Sequence, residues 1–137
     1  LASKHSDLEF ILPIHPNPEV QKHKHLLKHV KVVDPIPYEE FTKLLAECKF
    51  AITDSGGLQE ELSFFGKLCI VCREQTERIM GLGKFSYLCL KPKDLEDLFN
   101  KVNDNYDTVM GMPCPYGNGK SAERILKLIK DGHVTGI

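Results

Sequence analysis

Residues 50–67 read FAITDSGGLQEELSFFGK: an apolar run, a polar Asp-Ser-Gly-Gly corner, then two carboxylates on an expected helix. Backbone N–H groups at a helix start lack intrahelical partners and the dipole there is positive, so such a corner attracts anions. Gly56 and Gly57 carry no side chains and let a phosphate approach the backbone closely, and Ser55 adds a hydroxyl donor. An outward-facing glutamate on the next turn could accept two hydrogen bonds from a ribose diol, as acidic residues do in dinucleotide folds. Phosphate at the corner and ribose at a glutamate together describe a nucleoside diphosphate. The same letters also fit a plain N-cap and turn, with Glu60 and Glu61 placed for helix stability. Pattern alone leaves both readings open.

Other chemistry-bearing spacings carry less. GNGKS, residues 117–121, resembles the tail of a phosphate-binding P-loop, but the first glycine that motif requires falls on Cys114. Cys69 and Cys72 have redox-motif spacing, yet they lie in a strand candidate, where residues three apart face opposite sides. Two buried thiols are expected. His25 and His29 stand one helical turn apart beside His23, but no third ligand with recognised spacing accompanies them, so no metal site is expected. Arg73 and Glu77 are read as pairing with each other or with the helix bearing Glu60.

These residues need elements to hold them. Apolar runs at residues 10–14, 30–33, 50–53, 68–72 and 86–90 read as strands. Helical patterns cover residues 20–29, 38–47, 58–65, 94–106 and 121–130, with Tyr38, Phe41, Leu44 and Leu45 on one face of the second. Short apolar strands alternating with helices imply a parallel sheet covered on both faces, an α/β doubly wound, Rossmann-like domain. Ligands bind such sheets outside the carboxyl ends of the strands, where residues 54–57 fall.

Size fits that picture. At 137 residues, residues 1–137 form one domain by length. Eighteen basic against nineteen acidic residues give a net charge of −1, so no bulk field draws nucleic acid or an anionic membrane. Five cysteines without framework spacing, and no leader or membrane-length apolar run, suggest a reducing cytoplasm. The chain opens on Leu1 and reads as a piece of a longer protein.

Four segments in order extend the reading: PIHPNPEV at residues 13–20, DSGGLQEE at 54–61, REQTER at 73–78 and PYGNGKSAERI at 115–125. Together they resemble the C-terminal half of the non-hydrolysing UDP-N-acetylglucosamine 2-epimerases. The resemblance implies a glycosyltransferase B-type architecture, two Rossmann-like domains with a nucleotide-sugar between them. It implies interconversion of UDP-GlcNAc and UDP-ManNAc by elimination and re-addition of UDP, with no cofactor. The partners implied are UDP, UDP-GlcNAc and the N-terminal domain, absent here, with a homodimer allowed for the full-length enzyme.

Carried over residue by residue, the resemblance sets His15 near the diphosphate and Ser55, Gly56 and Gly57 on phosphate oxygens. Glu61 would take the ribose hydroxyls, and Arg78 would offset the charge of the departing UDP. His15 and Arg78 are thus the catalytic candidates. The turn at residues 35–38 would flank the uracil, and Glu60 would face away from the nucleotide. The carboxylates that move the C2 proton belong to the absent domain, so this chain alone is expected to be inactive. Ile79 and Met80 stand where the family reads Pro-Glu. The alternatives are the donor-binding domain of a glycosyltransferase, or a stand-alone UDP-sugar-binding domain without catalysis.

Overall fold

The computed structural model describes residues 1–132. The chain divides into two compact units, Leu1–Leu44 and Leu45–Ile137.

The first unit pairs β1 (Ile11–Pro13) with β2 (Lys31–Val33) in parallel, Leu12 opposite Val32. Ile14, 2% exposed, anchors it and extends the ladder by donating its N–H to the Val33 carbonyl at 3.0 Å. Between the strands the expected helix over residues 20–29 is broken. A single turn, α1 (Pro18–Gln21), gives way to a 3₁₀ turn at Lys24–Leu26. The start is well specified: Pro18 opens the helix and the Asn17 side chain accepts the Glu19 N–H at 2.9 Å. Beyond Gln21 the lysine–histidine run buries no side chain, so no packing carries the helix further. His23, His25 and His29 are all exposed.

α2 (Tyr38–Glu47) matches its expected bounds, and of its expected face Phe41 and Leu44 are half-buried. Leu45 alone is buried, and Tyr38 is 65% exposed.

The second unit is a three-stranded parallel sheet, β3 (Ala51–Thr53), β4 (Cys69–Val71) and β5 (Ser86–Leu88), with β4 in the middle. The parallel α/β expectation holds, with the hydrogen-bonded ladders in two groups instead of one run. Cys69, Ile70 and Val71 are fully buried, which requires cover on both faces of β4; α3 (Gly56–Phe64) and α4 (Leu95–Asp104) pack on it. Phe99 and Val102 of α4, Leu62 of α3 and Phe85 complete this core, and Phe50 meets Phe99 edge to face at 5.2 Å.

α3 begins two residues before the expected Leu58, at Gly56. Its end is a Schellman motif: Gly66, at φ 65°, sends its N–H to the Ser63 carbonyl, and Lys67 sends its own to Leu62 at 2.8 Å. That reversal delivers Leu68 straight into β4. α5 (Ser121–Lys130) lies on the expected residues, and every one of its side chains is exposed, including Ile125, Leu126, Leu128 and Ile129.

Candidate nucleotide-binding site

β3 ends at Thr53, and α3 starts three residues later, so residues 54–57 form the corner at the carboxyl edge of the sheet. Thr53 turns the chain there: its hydroxyl accepts the Ser55 N–H at 3.0 Å. Ser55 occupies the N-cap with extended backbone, but its hydroxyl closes no capping hydrogen bond. A serine placed only to stabilise the helix would use that oxygen on the first-turn N–H groups. Here those N–H groups and the hydroxyl face the same corner without satisfying each other.

The two glycines differ. A Cβ on Gly57 would meet nothing within 4 Å, so the space above it is open. A Cβ on Gly56 would come within 2.7 Å of Glu77 Oε1 and 3.5 Å of Arg73 Nη1. Gly56 therefore serves close packing of the segment after β4, while Gly57 leaves the approach to the helix start clear.

That segment, residues 73–78, folds back over the first turn of α3. Gln59, fully buried, is the peg: its Oε1 accepts from the Thr76 hydroxyl at 3.1 Å and its Nε2 donates to the Ser55 carbonyl at 3.4 Å. Ser63 donates to the Gln59 carbonyl at 2.7 Å. One turn of helix, the corner and the segment after β4 are thus joined through one amide side chain. Thr76 also accepts the Arg78 N–H at 3.1 Å, setting the turn from which Arg78 projects.

Arg78 is held between carboxylates. Its Nε pairs with Glu60 and its Nη1 lies 3.1 Å from Glu77 Oε1. Glu77 also pairs with Arg73 at 3.5 Å, as expected. Glu77 sits below the ordinary carboxylate range, first because its own backbone N–H bonds it and then because Arg73 and Arg78 are near. Glu60 is turned onto Arg78. Glu61, half-buried, is the other carboxylate of the pair.

The loop before α5 closes the arrangement. Tyr116 donates its hydroxyl to the Arg78 carbonyl at 2.8 Å and accepts the Gly81 N–H at 3.1 Å. Burial pushes this phenol up, which keeps it a donor. A Cβ on Gly81 would lie 2.9 Å from the same hydroxyl, so only glycine fits beneath it. Ile79 and Met80, which replace Pro-Glu, are 66% and 67% exposed and leave these contacts intact. The P-loop tail stays a turn: Asn118 Oδ1 accepts from Arg124 at 2.9 Å, and Lys120 merely precedes α5.

Of the predicted residues, Ser55, Gly56, Gly57, Glu61 and Arg78 meet around the start of α3. His15 belongs to the first unit, where it is exposed at the end of β1. Its Nδ1 accepts the Asn17 N–H at 3.1 Å, which puts the proton of the neutral ring on Nε2. Gln59 and Tyr116 are the positioning residues that motif reading passed over; both lay inside quoted motifs, but their roles depend on partners 17 and 35 residues away.

A parallel α/β unit whose glycine-bearing helix starts at the carboxyl edge of the sheet defines a Rossmann-like class of protein. The particular family is given by likeness. The UDP-N-acetylglucosamine 2-epimerase family model matches residues 1–130, and the chain belongs to that family. It is 32% identical to the UDP-N-acetylglucosamine 2-epimerase of Campylobacter jejuni over 96% of this chain and 37% of that relative. Likeness to the Escherichia coli K12 enzyme is 31% over 98% of this chain and 38% of the relative. The S. aureus MnaA–UDP structure superposes with a TM-score of 0.83 at 28% identity, covering 95% of this chain and 37% of that one. The Neisseria meningitidis UDP-GlcNAc 2-epimerase bound to UDP-GlcNAc gives 0.76 at 26%, covering 95% and 38%. The fold is accordingly that of the Rossmann-like half of a glycosyltransferase B-type enzyme. The chain spans a little over a third of the length of these relatives.

Proposed function

We propose that residues 1–137 are the UDP-binding, C-terminal domain of a non-hydrolysing UDP-N-acetylglucosamine 2-epimerase. The observation that carries this reading is the start of α3, where the Ser55 hydroxyl makes no cap and the space over Gly57 is open. The diphosphate sits on the N–H groups of that turn, with Ser55 donating and Arg78 supplying positive charge. Glu61 accepts the ribose hydroxyls.

The reaction interconverts UDP-GlcNAc and UDP-ManNAc. UDP leaves as C2 loses its proton, a 2-acetamidoglucal forms, and UDP adds back with the proton on the other face. Arg78 stabilises the departing diphosphate, where charge develops. The groups that move the C2 proton come from the part of the family fold outside this chain, so the isolated chain binds UDP and does not epimerise. The exposed apolar residues of α5 support a missing cover of that kind. This reading allows a homodimer for the complete enzyme and places it in the cytoplasm. Among the described residues, no helix is long and apolar enough to cross a membrane.

The deciding experiment compares UDP with its analogue lacking both ribose hydroxyls, by calorimetry, on the parent chain and Glu61→Gln. Glu61→Gln should weaken UDP by about 1.5–3 kcal/mol, the range for hydrogen bonds to a charged group, and leave the analogue almost unchanged. Equal losses on both ligands, or no saturable UDP binding by the parent, would remove the ribose assignment or the nucleotide reading respectively.

A further inference from the structure

The cysteine spacing singled out Cys69 and Cys72, but the sheet pairs Cys72 with a different thiol. In the β4–β5 ladder Val71 stands opposite Leu88, so Cys72 and Cys89 occupy the next position along the two strands. The Cys89 N–H donates to the Val71 carbonyl and the Cys72 N–H to the Thr53 carbonyl, both at 2.8 Å, so both backbones are still held in the sheet there. Facing residues on neighbouring strands share a face, and strands lie about 4.8 Å apart. A disulfide needs Cα atoms roughly 4.4–6.8 Å apart. The two thiols are close enough for Cys89 to raise that of Cys72, and the Cys89 S–H donates to the Lys91 carbonyl at 3.3 Å. Cys72 is exposed, contrary to the expectation of a buried thiol, and Cys89 lies beneath at 6% exposure.

We propose that Cys72 and Cys89 form a modification site for low-molecular-weight disulfides that closes to a cross-strand disulfide. The Cys72 thiolate attacks one sulfur of the reagent disulfide, and the other sulfur leaves as a thiolate and takes a proton. The Cys89 thiolate then attacks the Cys72 sulfur and expels the second reagent thiol. Two protein thiols are oxidised and one reagent disulfide is reduced to two thiols. Cys69, the partner that spacing alone would give Cys72, is fully buried, and burial, with Cys48 nearby, pushes its thiol up to about 12. It is neither reachable nor ionised. Cys72 is the residue before Arg73, so the modification falls at the base of the segment carrying Arg78.

The test exposes the folded chain to glutathione disulfide, then maps its peptides by mass spectrometry without reduction. The expected product is lighter by two hydrogen atoms, links the Cys72 and Cys89 peptides and reverts with dithiothreitol. Cys89→Ala should stall with glutathione on Cys72, Cys72→Ser should leave Cys89 unmodified, and Cys69→Ala should react like the parent. The rate should climb with pH above neutrality, because burial and then Cys89 raise the Cys72 thiol. A parent chain that keeps glutathione on Cys72, links any other pair or does not react overturns the proposal. Mapping of the parent does not depend on any variant folding.

Discussion

Glu60, on the second turn of α3, is ion-paired with Arg78, eighteen residues further along and on the far side of β4 in the chain. Its carboxylate offsets the guanidinium that the proposed diphosphate needs, and Glu77 offsets it further. An incoming diphosphate therefore competes with Glu60 for Arg78. Glu60→Gln should tighten UDP binding about fivefold, or ~1 kcal/mol, while lowering stability by less than ~1 kcal/mol because the pair is partly exposed. Calorimetry and urea denaturation on the same variant check both parts. Weaker UDP binding would mean that Glu60 orients Arg78 instead of competing for it.

Gly57 should separate stability from binding. The site above its Cα is open, so a methyl group fits the fold, and replacing helical glycine by alanine removes a backbone entropy cost. Gly57→Ala should raise stability by about 0.5–1 kcal/mol. The same methyl stands where the diphosphate approaches, so UDP affinity should fall, and Gly57→Val should abolish it. If thermal melts show the gain and calorimetry shows unchanged affinity, the phosphate lies elsewhere.

Tyr116 holds the backbone on both sides of Ile79, at the Arg78 carbonyl and the Gly81 N–H. Tyr116→Phe keeps the ring and removes both hydrogen bonds, so it should cost roughly 1–3 kcal/mol of stability. It should also weaken UDP by loosening Arg78, with the loss disappearing in an Arg78→Ala background. Additive losses in that double-mutant cycle would uncouple the tyrosine from the arginine.

Cys69 makes stability depend on alkaline pH. Its thiol titrates from an ordinary 9.0 in the unfolded chain but is pushed up to about 12 in the fold by burial. Below 9.0 both states hold the proton and the thiol adds no pH dependence. Above it the unfolded chain releases the proton and the folded one does not, so stability falls with rising pH until about 12. Urea midpoints measured across this window should fall less steeply for Cys69→Ala than for the parent. Parallel slopes would show that the thiol is not buried in the protonated form.

The local chemistry was legible in the sequence because it is written over a few consecutive residues. Alternating apolar runs and helical periods located the five strands of the described residues, and the glycine pair at 56–57 marked the free helix start. Those signals depend on backbone period and on the absence of side chains, which neighbouring letters reveal. The break after α1 was not legible, because a lysine–histidine run has helical propensity but nothing to bury, and packing decides such cases. Partnerships across the fold were decided by tertiary structure alone. Gln59 pegs to Thr76, Glu60 turns onto Arg78, Tyr116 reaches Gly81, and Cys72 faces Cys89 instead of sharing a role with Cys69. Strand register and the fold-back of residues 73–78 set each pairing, and both arise from burying β4 on two faces, a constraint no stretch of sequence expresses by itself.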